Sequence, residues 1–342
     1  MQKSGVKIAV FEIEKWEQEY LKKKLPNCKF EFSQKTITPK TAQDASDAEI
    51  LCVFVGSKIT TAILDKMPKL KYVVTMSTGF DHIDLEACQK RKISASNVPT
   101  YGENTVAEHA FALLLNISRK ISDSVELTRK GKFDYEGLRG FDLKDKTIGV
   151  IGTGRIGINV IKIAKGFGMN VIAYDVYPNQ QAATELQFKY FKTINEILSQ
   201  SDVITLHAPY TKETHHLISK KNINKIKKGS ILINTARGKL VETEAILLAL
   251  QKKIIRAAGL DVLEEESFLK EEKQLLSKDF AKEYDLKTVL EEHVLIEHSN
   301  VYVTPHNAFN SAEALTRILN TTIENIKSYT DKKQVNTIVL KQ

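Results

Sequence analysis

The chain has few of the residues that staple a fold or carry it across a membrane. Its 342 residues include only three cysteines, Cys28, Cys52 and Cys88. An odd count without metal-ligand spacing argues against a disulfide framework and against a zinc module. No metal is expected, and the thiols fit a reducing cytoplasm, which is the expected location. No apolar run reaches the roughly 18 residues that a membrane span needs. The segment Met1–Val10 also lacks the long apolar stretch of a signal peptide. No solenoid repeat is present. The formal net charge of +8 invites a nucleic-acid partner, but the lysines are scattered among acids. Lys22, Lys23 and Lys24 follow Glu17 and Glu19, and Lys270 stands between Glu266 and Glu271. Without a basic stripe or stacking aromatics, neither nucleic acid nor membrane is expected as a partner.

What is there reads as two α/β domains. The 42% hydrophobic content is ordinary for a globular chain, and the length suits two domains. In the first hundred residues, Val6–Phe11, Ile50–Val55 and Tyr72–Thr75 read as buried strands, with helices at Trp16–Lys24 and Thr60–Met67. A long helix is expected over Asn104–Lys120, with an apolar stripe at Val106, Ala110, Leu113, Leu114 and Ile117. A loop is expected over 130–144. Strands and helices then alternate again: strands at Val203–Leu206, Ser230–Asn234 and Ala257–Leu260, helices at Ile194–Gln200, Lys220–Ile226 and Glu242–Gln251. The charged stretch Leu263–Glu297 reads as a helical insertion, followed by a last strand, Val301–Thr304, and a last helix, Ser311–Ser328. The expected organisation is a discontinuous domain, 1–102 with 304–342, and a second domain, 103–303, built within it. A ligand cleft is expected between the two.

The second domain opens on Thr147-Ile-Gly-Val-Ile-Gly-Thr-Gly-Arg-Ile-Gly157, with an acid at Asp175. Ile148–Ile151 is a buried strand. Gly152 allows a tight turn, Gly154 lets backbone approach a pyrophosphate, and Gly157 lets the next helix pack on the strand. That helix begins at Arg155 and Ile156 and aims its free N–H groups at the phosphates. Asp175 ends the following strand, where a carboxylate accepts from ribose hydroxyls and repels a 2′-phosphate. The expected cofactor is NAD.

Three further segments end predicted strands, at the edge where α/β sheets bind ligands. Asn234-Thr-Ala-Arg-Gly238 offers Arg237, whose planar fork matches a carboxylate. Asp261-Val-Leu-Glu-Glu-Glu266 offers acids, and Pro305-His306 a histidine. Hydride delivered to a carbonyl carbon leaves charge on the oxygen, which a histidine can protonate near neutral pH. A neighbouring carboxylate would orient the ring and stabilise its cation.

Taken together, the segments Ser77–Asp84, Asn97–Pro99, Val106–His109, Gly149–Gly157, Asp202–Pro209, Asn234–Gly238, Asp261–Glu266 and Pro305–His306 resemble the D-isomer-specific 2-hydroxyacid dehydrogenases. The resemblance implies a Rossmann NAD-binding domain inserted into a discontinuous flavodoxin-like substrate domain, in a homodimer. It places the catalytic Arg, Glu and His at Arg237, Glu266 and His306, choosing Glu266 over Glu264 and Glu265. It implies that Val106, His207, Ala208, Pro209, Thr235, Ala236 and Asp261 line the cofactor, and that Thr78, Gly79 and Tyr101 help bind substrate. The lactate-type members are the most similar, so the first expected pair is pyruvate and D-lactate. Met76, Gly102 and Glu103, and Phe309 and Asn310 depart from their pattern. Hydroxypyruvate or glyoxylate reduction is the alternative. A non-catalytic NAD(H)-sensing interaction protein is the reading from another class.

Overall fold

The computed structural model describes residues 5–266 and 285–339. It separates into two compact units, Met1–Tyr101 with Ser311–Gln342, and Gly102–Asn310.

The first unit is a five-stranded parallel sheet in the order β2-β1-β3-β4-β5, with strands Lys7–Phe11, Lys29–Ser33, Ile50–Val53, Tyr72–Thr75 and Ser94–Ser96 numbered along the chain. This 2-1-3-4-5 order is that of flavodoxin-like sheets. The three apolar strands expected from sequence form its centre. β3 and β4 are buried at every residue, as a parallel sheet covered on both faces requires. The sequence reading did not include β2, Lys-Phe-Glu-Phe-Ser, because as an edge strand it carries charge and stays partly exposed. The helix Ala312–Thr330 returns to this unit, and its Tyr329 ring stacks on Tyr72 at 4.3 Å.

The second unit is a seven-stranded parallel sheet. Its strands are β6 (Thr147–Ile151), β7 (Asn170–Tyr174), β8 (Lys189–Tyr190), β9 (Val203–Leu206), β10 (Ser230–Asn234), β11 (Ile255–Leu260) and β12 (Val301–Val303), in the order β12-β11-β10-β9-β6-β7-β8. Counted from β6 this is the doubly wound 3-2-1-4-5-6 order with one strand added, and it reverses between β6 and β9. Side chains alternate through the sheet. Ile231 and Ile233 of β10 join the core on one face, with Leu113, Leu114 and Ile117 of the helix Glu103–Arg119. Leu232 joins the other, with Ile197, Leu198 and Ile246.

Local details differ from the expectation. The helix Glu103–Arg119 ends at Lys120, which adopts a left-handed conformation (φ 54°), and a second helix, Ile121–Arg129, begins at once with no buried residue. The helix expected at Lys220–Ile226 is only a 3₁₀ turn, Ile223–Lys225. Asn222 explains this: its side chain accepts from the Ser219 N–H at 2.9 Å and donates to the Leu217 carbonyl at 2.8 Å, tying up backbone groups that a helix would pair. Of the charged stretch, Leu286–Glu297 is a helix. Residues 267–284 lie outside the described residues.

Candidate active site

All seven strands of the second unit are parallel, so their carboxyl ends share one edge. The expected residues follow that edge in order. Asp175 follows β7, Gly152–Gly157 follow β6, and His207–Pro209 follow β9. Thr235–Arg237 follow β10, Asp261–Glu266 follow β11, and His306 follows β12. At about 4.8 Å per strand, the line from β7 to β12 is roughly 24 Å long.

At the β6–β7 end the chain presents backbone. Gly152 has φ +92°, and a Cβ there would lie 2.6 Å from the Ala208 nitrogen. A Cβ on Gly157 would strike the Gly152 carbonyl at 2.1 Å, so the helix Arg155–Gly166 can approach only without one. Gly154 is different: a Cβ there would meet nothing within 4 Å. The protein itself does not require glycine at that point, and the open space lies over a helix N-terminus that no side chain caps. Such a cradle suits a pyrophosphate. Arg155 is exposed and Ile156 half-buried beside it. The Asp175 carboxylate ties the turn down. One oxygen accepts from the Thr153 N–H at 2.6 Å and the Thr153 hydroxyl at 3.0 Å, the other from the Tyr177 N–H at 2.9 Å.

Further along, His207 shares a hydrogen bond with Thr205 through Nε2 at 2.8 Å. Burial pushes its pKa down to about 3, so the ring is neutral at ordinary pH. Its Nδ1 and the Thr235 hydroxyl are buried polar atoms with no hydrogen-bond partner among the described residues. Orphaned polar atoms at a strand edge fit a polar ligand. Ala208 and Ala236 are half-buried and Pro209 is exposed, while Val106 is buried in the first turn of its helix. These residues fit a bound dinucleotide.

At the β11–β12 end the chain presents side chains. His306 Nδ1 lies 2.7 Å from Glu266 Oε1, so the expected pair is in contact. His306 has φ +51°, a left-handed conformation that a non-glycine residue adopts at a cost. Asp261 holds it there. Its carboxylate, 1% exposed, accepts from the Thr304 hydroxyl, from the Asn307 N–H at 3.0 Å and from the Ala308 N–H at 2.8 Å. His109 stands 3.5 Å from the same carboxylate and 3.0 Å from the Thr304 hydroxyl. Burial alone would raise the Asp261 pKa, but the bonds from His109, Thr304 and the two amides outweigh it and hold the group below its ordinary value. Asp261 thus braces the loop that carries His306.

Arg237 ends the neighbouring loop. Asn234 shapes that loop by donating to the Arg237 carbonyl at 2.9 Å and accepting from the Ala236 N–H at 3.1 Å. A Cβ on Gly238 would come within 2.0 Å of Leu263 backbone, so the β10 and β11 loops are packed without room for a methyl. Glu264 points away from His306. Its carboxylate accepts from the Thr243 N–H at 2.7 Å and hydroxyl at 2.6 Å, and its other oxygen meets His216 Nε2 at 2.6 Å. The sequence reading assigns no role to Thr304, Thr243, Glu292 or His216. Each acts across 21 to 48 residues of chain, a distance that no local motif spans.

Thr78, Gly79 and Tyr101 belong to the first unit. Thr78 is exposed, its hydroxyl donating to the Val98 carbonyl at 2.9 Å. The Gly79 carbonyl accepts from Ser77 at 2.7 Å, and the Tyr101 carbonyl from Arg317 Nε at 2.6 Å.

The pattern of the "D-isomer specific 2-hydroxyacid dehydrogenase, NAD binding domain" family matches residues 111–308. The D-lactate dehydrogenase of Escherichia coli is 36% identical over 330 residues, 94% of this chain and 96% of that one. Its apo structure covers 98% of this chain and 100% of its own, with a TM-score of 0.81 at 34% identity. A D-lactate dehydrogenase from Aquifex aeolicus, solved with NAD and lactic acid, has a TM-score of 0.82 at 34% identity, covering 95% and 96% of the two chains. The pyruvate reductase of Chlamydomonas reinhardtii gives a TM-score of 0.86 at 33% identity, covering 96% and 98% of the two chains.

Proposed function

This chain belongs to the D-isomer-specific 2-hydroxyacid dehydrogenases, enzymes that use NAD, and we propose that its own reaction is the reduction of pyruvate to D-lactate. The observation that carries the chemistry is the 2.7 Å contact between His306 Nδ1 and Glu266. With Nδ1–H donating to the carboxylate, Nε2 is the atom that exchanges a proton with substrate. The cradle at Gly152–Gly157 would hold NADH, which would supply the hydride. His306 gives a proton to the carbonyl oxygen as charge develops there, and Glu266 orients the ring and stabilises the imidazolium left behind. Arg237 binds the carboxylate of the acid through its planar fork.

The choice of pyruvate is supported by the relatives named above. It is tested by following NADH oxidation with pyruvate, hydroxypyruvate, glyoxylate and larger 2-oxo acids. Pyruvate is expected to give the highest kcat/KM, and a clear preference for another acid would reassign the substrate.

The molecule is further proposed to act as a homodimer. The helix Ile121–Arg129 has no buried residue, yet it and the loop after it expose Ile121, Val125, Phe133 (97%) and Tyr135 (87%). A second copy of the chain is the proposed cover. Sedimentation should give twice 38.6 kDa; a monomer at micromolar concentration would contradict it.

A further inference from the structure

We propose that Glu292 is a positioning residue for Glu266: from the helix Leu286–Glu297 it holds the turn that presents the Glu266 carboxylate to His306. The inference rests on the reading of Glu266 and His306 as the working acid–base pair. The described residues stop at Glu266 and resume at Asp285. Glu292 Oε1 accepts from the Glu265 N–H at 2.9 Å, so the returning helix grips the residue immediately before Glu266.

The placement is costly unless it serves that grip. The buried positions of this helix are Val289, Glu292 and Leu295, three apart and on one face. Two are aliphatic, and an aliphatic residue at 292 would satisfy the packing. Instead a carboxyl sits there with 0% exposure. One oxygen takes the Glu265 amide; the other has no hydrogen-bond partner among the described residues. Burying such a group is unfavourable without a compensating bond.

The charges around Glu292 make the grip sensitive to pH. The groups facing it are the carboxylates of Glu264 and Glu265. Behind them stand His216, 2.6 Å from Glu264, and Lys239, 3.8 Å from Glu265. On its own helix Glu291 pairs with Lys287 at 3.3 Å. On the packed helix Thr243–Gln251, Glu244 pairs with Lys220 and Lys287. Burial first, and then the Glu264 and Glu265 carboxylates, push the Glu292 pKa up to about 7, against the pull of the Glu265 amide and, more weakly, the Glu264 amide. With the turn lifted and Glu292 in water, the group returns to about 4.5. The closed turn therefore binds more protons. Its advantage is complete below the lower value and is lost as pH rises through the higher one. From pH 6 to pH 8, linkage increases opening about tenfold.

The test compares the parent protein with Glu292→Gln and Glu292→Ala. Hydrogen exchange at residues 264–266, corrected for intrinsic rate, is read at pH 6 and pH 8, with kcat for pyruvate and the Kd of NADH beside it. The parent should lose about tenfold in protection between the two pH values. Glu292→Gln keeps an acceptor for the amide but cannot ionise; it should retain most of the turnover and show no such loss. Glu292→Ala should exchange fast at both pH values and lower kcat about fivefold or more, with KM and NADH affinity changed less than about twofold. Parent-like protection at residues 264–266 together with parent-like kcat in Glu292→Ala would overturn the proposal, with Glu292→Leu, which fills the space without an acceptor, read in its place if Glu292→Ala does not fold; superimposable pH profiles for parent and Glu292→Gln would overturn the pH dependence of the grip. His306→Ala runs in parallel: full activity in that variant would sink the acid–base reading, while the exchange data would still show whether Glu292 holds the turn.

Discussion

At the β6–β7 end of the second unit's edge, the chain works by leaving side chains out. Gly152 and Gly157 have no room for a Cβ, and Gly154 has room that the protein leaves open. At the β11–β12 end, function rests on side chains, and each is held by another. His306 leans on Glu266, the His306 loop hangs on Asp261, and the turn of Glu266 is held by Glu292. A backbone cradle needs only the right φ values and a helix start. A charged pair with a defined tautomer needs bracing, because an unsupported carboxylate or imidazole would turn to water.

The largest effect that tests this contrast is at His306. His306→Ala should lower kcat by about 10²–10⁴-fold while leaving the Kd of NADH within about twofold, because the cradle is built at the other end of the edge. Weakened NADH binding of similar size would show that the two ends are not separable. A smaller effect is expected at Gly154. Gly154→Ala should fold with the stability of the parent, since its Cβ meets nothing within 4 Å, yet bind NADH about tenfold less tightly. Unchanged NADH affinity would mean that the open space is not the phosphate cradle.

The same contrast explains what could be read from sequence. The cradle was legible because its parts are local: strand, three glycines, helix and acid within 29 residues, from Thr147 to Asp175. The central strands were legible as apolar runs. The edge strand Lys29–Ser33 was not, because it alternates with charge, and Lys220–Ile226 misled because Asn222 diverts the backbone. Arg237, Glu266 and His306 stood out by their places at strand ends, but the choice among Glu264, Glu265 and Glu266 came from family resemblance. The structure supplies a physical account of that choice: Glu264 is occupied by Thr243 and His216, while Glu266 meets His306. The supports themselves, Thr304 for Asp261 and Glu292 for the turn, act between residues 27 to 43 apart and leave no pattern in one sequence.

The most direct test of the central claim is NADH oxidation by the purified protein with pyruvate, followed by chiral assay of the product. Turnover yielding D-lactate, lowered at least about 10²-fold in His306→Ala, is the predicted result. NADH binding without turnover of pyruvate or of any other 2-oxo acid would contradict it.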